Sequence, residues 1–312
     1  MRSTRARRVV VEASASTANL GPGFDVFGLG LEEPRDRVVV EPCDGVEIVS
    51  EAEIPKDPRR NCAGLVALKL VEDFGLPGVR IRIEKGVPIG KGLGSSAASA
   101  VATVFGIDRL FGLGLGMNEL VEYAAKGELA SAGVEHFDNV SASAFGGFVL
   151  VLPGRPVRIL HADPPKGLGV CLAIPELDMG SMKTGKLRKV IPKSVPLEVA
   201  VRNLGRASAI VFAMLTGEIG LLKDAIRDEI VEPARARLIP GYEHVKEEGI
   251  KEGALAVALS GAGPTMVAFY DKARADGRRI GEGMKRGFMK AGIKSNILIT
   301  EVGGGVRVLE ER

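Results

Sequence analysis

One short segment of the sequence combines the residue types that bind phosphate groups. Pro88–Ala98 reads PIGKGLGSSAA, and three glycines alternate in it just before a predicted helix: Gly90, Gly92 and Gly94. Glycine lets the backbone approach a phosphate closely, and the N–H groups of a first helical turn point towards it. The hydroxyls of Ser95 and Ser96 add donors or a metal ligand, and Lys91 adds positive charge. The pattern favours a nucleotide phosphate loop over its alternative, a tight turn with a capping serine.

Two other kinds of phosphate loop are excluded by this spacing. A P-loop has Ser or Thr directly after its lysine, whereas Gly92 follows Lys91 here. A dinucleotide-binding fingerprint has a third glycine where this chain has Ser95. The loop therefore indicates a small-molecule kinase and leaves a nucleotide-dependent oxidoreductase as a distant alternative.

The composition argues against several classes of partner and site. The chain has 312 residues and a net charge of only +3, too weak to indicate nucleic acid or an anionic membrane. Its three cysteines and three histidines show no metal-binding spacing, so we expect neither structural zinc nor a disulfide framework, and we predict a cytoplasmic protein. Met1–Arg8 is too charged for a signal peptide, and we expect that no apolar run approaches the length of a membrane span. The absence of glutamine and the many charged residues are typical of a thermophilic prokaryote.

The order of predicted elements indicates an α+β protein of two domains. Strands and helices are mixed in both halves without a regular βαβ rhythm. We predict domains at 1–154 and 155–312, divided after the turn Pro153-Gly154. Near the start, Val9–Glu12 is predicted to be a strand, and the small polar residues of Ser14–Gly23 are predicted to form a loop.

Several segments of the chain resemble motifs of one enzyme family, the GHMP kinases. Besides the phosphate loop, these are Ser16–Asp25 (STANLGPGFD) and Leu259–Thr265 (LSGAGPT). Three more segments resemble the homoserine kinases within that family: Gly127–Ala130 (GELA), His136–Asn139 (HFDN) and Glu232–Arg235 (EPAR). Taken alone, Glu128 in GELA would be a solvated helix residue, and LSGAGPT would be a glycine-rich turn that connects two strands. All of them in the family's order, over Val9–Glu301, make the resemblance specific.

The resemblance implies a fold and a reaction. The N-terminal domain should be similar to the second domain of ribosomal protein S5, and the C-terminal domain should be ferredoxin-like. The active site would lie in the cleft between them. There, ATP with Mg²⁺ would phosphorylate the side-chain hydroxyl of L-homoserine, a step of threonine biosynthesis. The family's members are commonly dimers, so a homodimer is expected, with no nucleic-acid or membrane partner.

The resemblance also assigns the nucleotide and metal residues. Phosphoryl transfer depends mainly on positioning and charge neutralisation. Magnesium is held by one or two protein oxygens together with phosphates. Ser96, with Ser95 as the alternate, and Glu128 are assigned to the metal. The nucleotide contacts are assigned to Pro88, Ile89, Gly90, Lys91, Gly92, Leu93, Gly94, Ser95, Ser96, Ala97, Ala98, Asn61 and Thr184.

The acceptor site follows from the chemistry of homoserine, which carries an ammonium, a carboxylate and a hydroxyl. Asp25 suits the ammonium, with Asn19 beside it. Arginine grips a carboxylate in a bidentate fork, and Arg188 and Arg235 match the family's positions. The other assigned residues lie near the hydroxyl or in a turn that closes over the substrates: His136, Asp138, Asn139, Ser260 and Gly261.

Two questions stay open in the sequence. Asn139 is expected to orient the acceptor hydroxyl while the γ-phosphate takes its proton, but Asp138 could instead act as a general base. The chain could also be another GHMP kinase that acts on mevalonate or shikimate, or a non-catalytic ligand-binding relative. A mevalonate pocket would not need Asp25 for an ammonium. Non-catalytic relatives usually lose the phosphate loop or the metal carboxylate, and both are intact here.

Overall fold

In this computed structural model the described residues are 7–133, 135–154, 156–179 and 183–312. The strands within them are β1 (Val9–Ala18), β2 (Phe27–Pro42), β3 (Gly45–Val49), β4 (Gly78–Glu84), β5 (Phe148–Leu152), β6 (Arg158–Ala162), β7 (Leu168–Pro175), β8 (Ala256–Leu259), β9 (Met266–Asp271), β10 (Ser295–Glu301) and β11 (Arg307–Glu311). The helices are α1 (Cys62–Phe74), α2 (Ser95–Phe111), α3 (Met117–Gly127), α4 (Leu129–Ala132), α5 (Phe137–Phe145), α6 (Lys183–Lys189), α7 (Leu197–Thr216), α8 (Leu222–Ala225), α9 (Glu232–Ala236), α10 (Tyr242–Lys251) and α11 (Gly277–Lys290).

The first sheet has seven strands and carries the phosphate loop. Its order is β11-β1-β2-β4-β3, with β5 paired to β2 and β6 paired to β5. Helix α2 packs across β1 and β2, and α1, α3 and α5 flank it. The alanine-rich stretch Ala97–Val104 is buried throughout, because small side chains let the helix approach the sheet closely. This packing fixes where the first turn of α2, and therefore the loop before it, lies.

The second sheet has four antiparallel strands in the order β10-β7-β9-β8. Counted along the chain, this is the order 4-1-3-2. Helices α10 and α11 cover the sheet and bury Val245, Ile280 and Phe288 against it. The arrangement is ferredoxin-like. Together with the first sheet it confirms the predicted fold class, an α+β protein with two different sheets.

The chain crosses between the two sheets more than once. After the predicted boundary at residue 154, β6 still extends the first sheet through its pairing with β5. The last strand, β11, returns to the first sheet and pairs antiparallel with β1. The division at residue 154 stays a prediction, and we propose that the first unit also includes β6 and β11.

The predicted loop at Ser14–Gly23 is wrong over its first half. Strand β1 runs on to Ala18, and its small residues pair with β2, Ser16 opposite Gly30 and Thr17 opposite Leu29. Pairing within the buried sheet outweighs the turn preference of serine and glycine. The turn comes directly after the strand, where Asn19 has a φ of 72°. Asn19 is thereby held rigidly at the end of a core strand.

Helix α7 differs from what the composition predicts. It has 20 residues and a mean hydropathy of 1.2 over its most apolar window, so by length and composition alone it could cross a membrane. Core helices of soluble proteins meet the same criterion, but only 22% of this window is buried. The expectation that no apolar run approaches the length of a membrane span is therefore wrong for α7.

Candidate active site

A cleft of about 930 Å³ lies between the phosphate loop and the turns of the second unit. Most predicted site residues line it: Asn19, Asp25, Asn61, Ile89, Gly90, Gly92, Gly94, Ser95, Ser96, Glu128, His136, Asp138, Asn139, Arg235 and Gly261. Other predicted residues lie beside or behind this lining: Pro88, Lys91, Leu93, Ala97, Ala98, Arg188 and Ser260. The side chain of Thr184 lies outside what the structure describes. One cleft thus collects segments that are far apart in the sequence.

The phosphate loop enters α2 without a side-chain cap. Gly94 occupies the N-cap position with a φ of 67°, so no side-chain oxygen of the cap covers the first-turn N–H groups. A Cβ on Gly94 would lie 2.1 Å from Ser16 Oγ and 3.2 Å from Asn139 Oδ1. Glycine is therefore required sterically as well as by its φ. The first turn of α2 faces the cleft as a site for an anion.

The loop is also bonded to the second unit. Ser260 Oγ donates to the carbonyl of Gly92 at 2.7 Å, and the N–H of Thr265 donates to the carbonyl of Lys91 at 3.3 Å. A Cβ on Gly92 would lie 2.5 Å from the carbonyl oxygens of both Ser260 and Gly263. Ser260 thus shapes the phosphate loop from behind and does not itself line the cleft.

The lysine in the loop points away from the cleft. Lys91 Nζ donates to the carbonyls of Pro175 at 2.8 Å and Leu177 at 3.1 Å. Lys85, which the sequence reasoning missed, lines the cleft instead. Its Nζ donates to the Asp36 carboxylate, to the Ser95 carbonyl at 2.7 Å and to Ser99 Oγ at 3.0 Å. Lys85, not Lys91, is therefore the lysine at the start of α2.

Asp36 anchors this lysine from a fully buried position in β2. It accepts hydrogen bonds from the N–H groups of Gly86 at 3.1 Å and Val87 at 3.0 Å, and from Ser99 Oγ at 2.6 Å. Burial lowers the pKa of Lys85, and the carboxylate of Asp36 opposes that effect. Asp36 lies inside β2 among other charged residues and Lys85 directly follows β4, so no motif marks this pair in the sequence.

The residues assigned to magnesium are neighbours. Glu128 lies between α3 and α4, is only 5% exposed, and accepts a hydrogen bond from Ser96. Ser95 Oγ instead donates to the Val87 carbonyl at 3.0 Å. Burial raises the pKa of Glu128, and the Ser96 bond opposes this rise. A buried carboxylate beside a hydroxyl is a donor set of hard oxygens that fits Mg²⁺.

The described residues form no complete protein cage for a metal. Among the residues that the structure describes, no three His, Cys, Asp or Glu side chains come together as a metal site. Ser96 and Glu128 therefore fit a metal that takes its remaining ligands from phosphates and water, as Mg²⁺ does.

Asn61 has a structural role as well as a place in the cleft wall. Its Oδ1 accepts from the N–H groups of Ala63 at 2.9 Å and Gly64 at 3.3 Å, which caps α1. Its Nδ2 donates to the Pro55 carbonyl at 2.8 Å. These bonds use both ends of the side-chain amide.

On the acceptor side, Asp25 and Arg188 form an ion pair. Arg188 Nη2 donates to Asp25 Oδ2, and Nη1 lies 3.4 Å from Oδ1. Asn19 Oδ1 accepts from the Asp25 N–H at 3.1 Å, and its Nδ2 donates to the Gly261 carbonyl at 2.9 Å. Asp25 has a φ of 59°, so its turn is held in the left-handed region. Asn19 thereby ties the Asp25 turn to the Gly261 turn.

Arg235 approaches the same place from α9. It is 3% exposed, and its Nη1 donates to the Gly261 carbonyl at 3.1 Å. The Phe24 ring contacts both arginines, with the guanidinium carbons of Arg188 and Arg235 at 5.3 and 5.2 Å from its centroid. Sequence reasoning did not single out Phe24, although it lies inside the first recognised motif. One aromatic ring therefore contacts both cations.

The HFDN segment opens α5, a helix that the sequence did not predict. Asn139 Oδ1 accepts from Ser16 Oγ at 3.0 Å, which sets the amide beside the phosphate loop. Asp138 Oδ1 accepts from the Asn139 N–H at 2.8 Å, and burial raises the pKa of Asp138. His136 Nε2 is buried and has no hydrogen-bond partner among the described residues. These three polar groups face the cleft close to the start of α2.

Two parts of the sequence match the two domains of one protein family. Residues 61–147 match the GHMP kinases N terminal domain, and residues 210–284 match the GHMP kinases C terminal domain. Homoserine kinase of Thermoplasma acidophilum is 39% identical over 302 residues, which cover 96% of each chain. Homoserine kinase of Methanopyrus kandleri is 44% identical over 261 residues, covering 83% of this chain and 86% of the relative.

Solved structures of kinases also match this chain. The crystal structure of homoserine kinase from Cytophaga hutchinsonii matches with a TM-score of 0.90 at 33% identity, over 99% of both chains. Mevalonate kinase of L. major in complex with R-mevalonate matches with a TM-score of 0.68 at 18% identity, over 97% of both chains. The second likeness is one of fold alone.

Proposed function

Because this chain belongs to the homoserine kinases of the GHMP kinase family, we propose that its cleft transfers the γ-phosphoryl group of ATP to the side-chain hydroxyl of L-homoserine. The observation that carries the proposal is that one cleft holds both halves of such a site. An uncapped helix start behind a glycine loop lies beside a set of acidic, amide and arginine side chains. The first suits phosphates, and the second suits an amino acid with a hydroxyl.

The phosphates of ATP are positioned by the loop and the first turn of α2. The backbone of Gly92 and Gly94 allows close approach, and the N–H groups of the turn stabilise the negative charge. Ser96 and Glu128 would hold Mg²⁺, which neutralises charge on the phosphates during transfer. Lys85 fixes the Ser95 carbonyl, so the helix start keeps its place. These groups supply positioning and charge, the two requirements of phosphoryl transfer.

The zwitterion of homoserine is bound by opposite charges that already face each other. Asp25 takes the ammonium, and Arg188 and Arg235 take the carboxylate. When homoserine binds, Asp25 pairs with the substrate ammonium in place of Arg188, and Arg188 pairs with the substrate carboxylate in place of Asp25. No charge is therefore left unpaired. His136 Nε2 and the Gly261 turn complete the polar wall of the acceptor site.

Transfer needs little covalent help from the protein. The homoserine hydroxyl oxygen bonds to the γ-phosphorus, and the bond from that phosphorus to the β–γ bridging oxygen breaks, releasing ADP. The hydroxyl proton passes to a γ-phosphate oxygen. Asn139, fixed by Ser16 beside Gly94, orients the hydroxyl towards the loop. Asp138 keeps Asn139 in place by accepting from its N–H.

We further propose the setting in which the chain works. The net charge of +3 supports the absence of a nucleic-acid partner. None of the three cysteines, all in described positions, forms a disulfide, which fits a reducing cytoplasm. We infer a homodimer with no membrane partner.

The test is turnover with defined acceptors. Purified protein with ATP and Mg²⁺ is assayed for ADP release with L-homoserine, mevalonate and shikimate, and ³¹P NMR identifies a phosphate ester. We expect turnover with homoserine at a kcat/KM at least ~100-fold above the other two, since only homoserine supplies the ammonium that Asp25 binds. Equal turnover with mevalonate, or none with a folded protein, would contradict the proposal.

A further inference from the structure

Glu232 is a buried carboxyl group that the proposed reaction does not use. It begins α9 and the EPAR segment, it is 6% exposed, and it lies outside the lining of the cleft. Burial raises the pKa of its carboxyl group. A buried carboxylate is destabilising unless it is paired and hydrogen-bonded. The bonds that Glu232 makes therefore indicate its role.

The Glu232 carboxylate joins three segments of the second unit. Its Oε1 accepts from the Tyr242 hydroxyl and from Lys246 Nζ at 3.4 Å, both in α10. Its Oε2 accepts from the Leu259 N–H, at the end of β8, at 3.3 Å. Lys246 Nζ also donates to the Tyr242 hydroxyl oxygen at 3.0 Å, so the two α10 side chains hold each other. Both oxygens of the carboxylate therefore have partners, one in α10 and one in β8.

Helix α9 binds one turn of the second sheet at two points. This is the Gly261 turn, residues 260–265 between β8 and β9. Glu232 holds the N–H of the residue before the turn, and Arg235 Nη1 donates to the Gly261 carbonyl at 3.1 Å. The two side chains are three residues apart, so they lie on the same side of the helix. Glu232 therefore fixes the helix from which Arg235 reaches the turn.

The same turn is bonded to the nucleotide half of the cleft. Ser260 Oγ donates to the Gly92 carbonyl at 2.7 Å, which holds the turn against the phosphate loop. This bond does not involve α9, so the turn keeps its position relative to the loop even when α9 shifts. Glu232 ties α9 to the turn. Through that tie, the guanidinium of Arg235 is kept at a fixed distance from the phosphate loop.

We propose that Glu232 is a positioning residue that acts through Arg235. Its carboxylate keeps α9 against the Gly261 turn, so that Arg235 meets the carboxylate of homoserine at the distance from the phosphate loop that transfer requires. The proposal rests on the proposed function, because it takes homoserine as the ligand of Arg235. A purely structural carboxylate would instead affect stability alone.

The test is the steady-state kinetics of Glu232→Gln and Tyr242→Phe, measured well below their unfolding temperatures. Glutamine has the size of glutamate but only one side-chain oxygen, so it cannot accept from Leu259 and from α10 together. We expect KM for homoserine to rise ~10-fold and kcat to fall ~10-fold, while KM for ATP stays within ~2-fold of the parent value. Tyr242→Phe removes one bond to the carboxylate and should raise KM for homoserine ~3-fold, which keeps the test available if Glu232→Gln does not fold.

Two further variants separate positioning from stability. Glu248→Gln, in α10, is the matched control, because its carboxylate is also mostly buried and accepts from Lys290 Nζ of α11 at 2.8 Å. It should lower the unfolding temperature and leave both KM values unchanged. Arg235→Met should itself lower kcat/KM for homoserine, measured at high enzyme concentration. Adding Glu232→Gln to it should cost no more than ~2-fold, since the residue through which Glu232 acts is already absent.

Four results would overturn the proposal. A lower unfolding temperature of Glu232→Gln with an unchanged KM for homoserine would make Glu232 a structural residue only. An equal rise of both KM values would show that the substitution disturbs the whole cleft. Independent losses in the double variant would show that Glu232 does not act through Arg235. A parent without homoserine turnover would overturn the proposed function as well, whereas the other three results leave that function standing.

Discussion

Asp25 and Arg188 face each other across the acceptor end of the cleft as a two-pronged ion pair, with Nη1 3.4 Å from Oδ1 and Nη2 bonded to Oδ2. The two residues stand 163 positions apart in the sequence and come from different units of the fold. Each is just over one-third exposed, so the pair is weakly stabilising in itself. Asp25 and Arg188 can therefore separate at little cost and pair with the ammonium and the carboxylate of homoserine.

Replacing Asp25 by Asn should weaken homoserine binding and leave ATP binding intact. A charged hydrogen bond contributes ~1.5–3 kcal/mol, so we expect KM for homoserine to rise ~10- to 100-fold. KM for ATP should stay within ~2-fold of the parent value. Steady-state kinetics with each substrate varied in turn measures both. Asp44→Asn, at an exposed position, is the control. An equal rise of both KM values would argue against a contact with the ammonium.

Replacing Glu128 by Gln should separate metal binding from stability. Burial raises the pKa of Glu128, so an ionised carboxylate at this position lowers the stability of the folded state. We expect the ligand-free variant to unfold at the same temperature as the parent or a few degrees higher. Activity should fall at least ~100-fold, with a higher Mg²⁺ concentration needed for half-maximal rate. Calorimetry and a Mg²⁺ titration of the rate check this.

The control for that experiment is Glu72→Gln, whose side chain is 74% exposed. It should change neither the unfolding temperature nor the Mg²⁺ titration. If Glu128→Gln lowered the unfolding temperature and left the Mg²⁺ dependence unchanged, Glu128 would be a structural residue.

Replacing Asp138 by Asn should reduce kcat by less than ~100-fold. An amide oxygen can still accept from the Asn139 N–H, which lies 2.8 Å from Asp138 Oδ1 in the parent. Positioning of Asn139 is therefore largely kept. A loss beyond ~1000-fold at unchanged substrate affinity, with the low-pH limb of the rate profile abolished, would instead make Asp138 a general base. The pH dependence of kcat distinguishes the two roles.

Replacing Gly92 by Ala should damage ATP binding more than the fold. Its Cβ would lie 2.5 Å from two carbonyl oxygens of the second unit, so the loop must shift. We expect KM for ATP to rise at least ~10-fold. Gly112→Ala is the matched control, because Gly112 also has a positive φ (64°) but has no atom within 4 Å of the added Cβ. Both variants share a left-handed penalty of ~1–2 kcal/mol, and only the first should change KM for ATP.

Replacing Lys85 by Met should destabilise the protein strongly. The change leaves the Asp36 carboxyl group buried without its cation, and breaking a buried pair costs ~3–5 kcal/mol. The double variant Lys85→Met with Asp36→Asn should recover part of that loss. Lys91→Met, which removes bonds to two carbonyls only, should cost ~1–2 kcal/mol. Urea unfolding measures all three. Equal losses for Lys85→Met and Lys91→Met would contradict the assigned partners.

The motifs predicted many of the residues that line the cleft. Glycine, serine and acidic residues at fixed spacing indicate the local backbone geometry, which depends on neighbours in the sequence. Gly92 and Gly94 need positive φ and close contacts, and their pattern is visible in the sequence itself. Asp25, Asn139 and Arg235 belong to recognised motifs, and all three line the same cleft. Their chemical roles stay predictions.

Contacts between distant segments could not be predicted in the same way. Lys91 is nearer to the glycines in the sequence than Lys85 is. Its ammonium nevertheless donates to carbonyls of β7 and of the segment after it. Only burial and the position of Asp36 distinguish the two lysines. Helix α5 was missed because HFDN lacks a capping side chain: His136 holds the N-cap position without a side-chain hydrogen bond.

The pairing of β11 with β1 has a consequence for synthesis on the ribosome. Val9 lies opposite Glu311 and Glu12 opposite Arg307, so the first strand made is completed by the last one. Until residues 307–311 leave the exit tunnel, the outer edge of β1 has no strand to pair with, and an unpaired edge can recruit another chain. The sheet that carries the phosphate loop therefore begins with β1 and gains its β11 edge only after the second unit has been made.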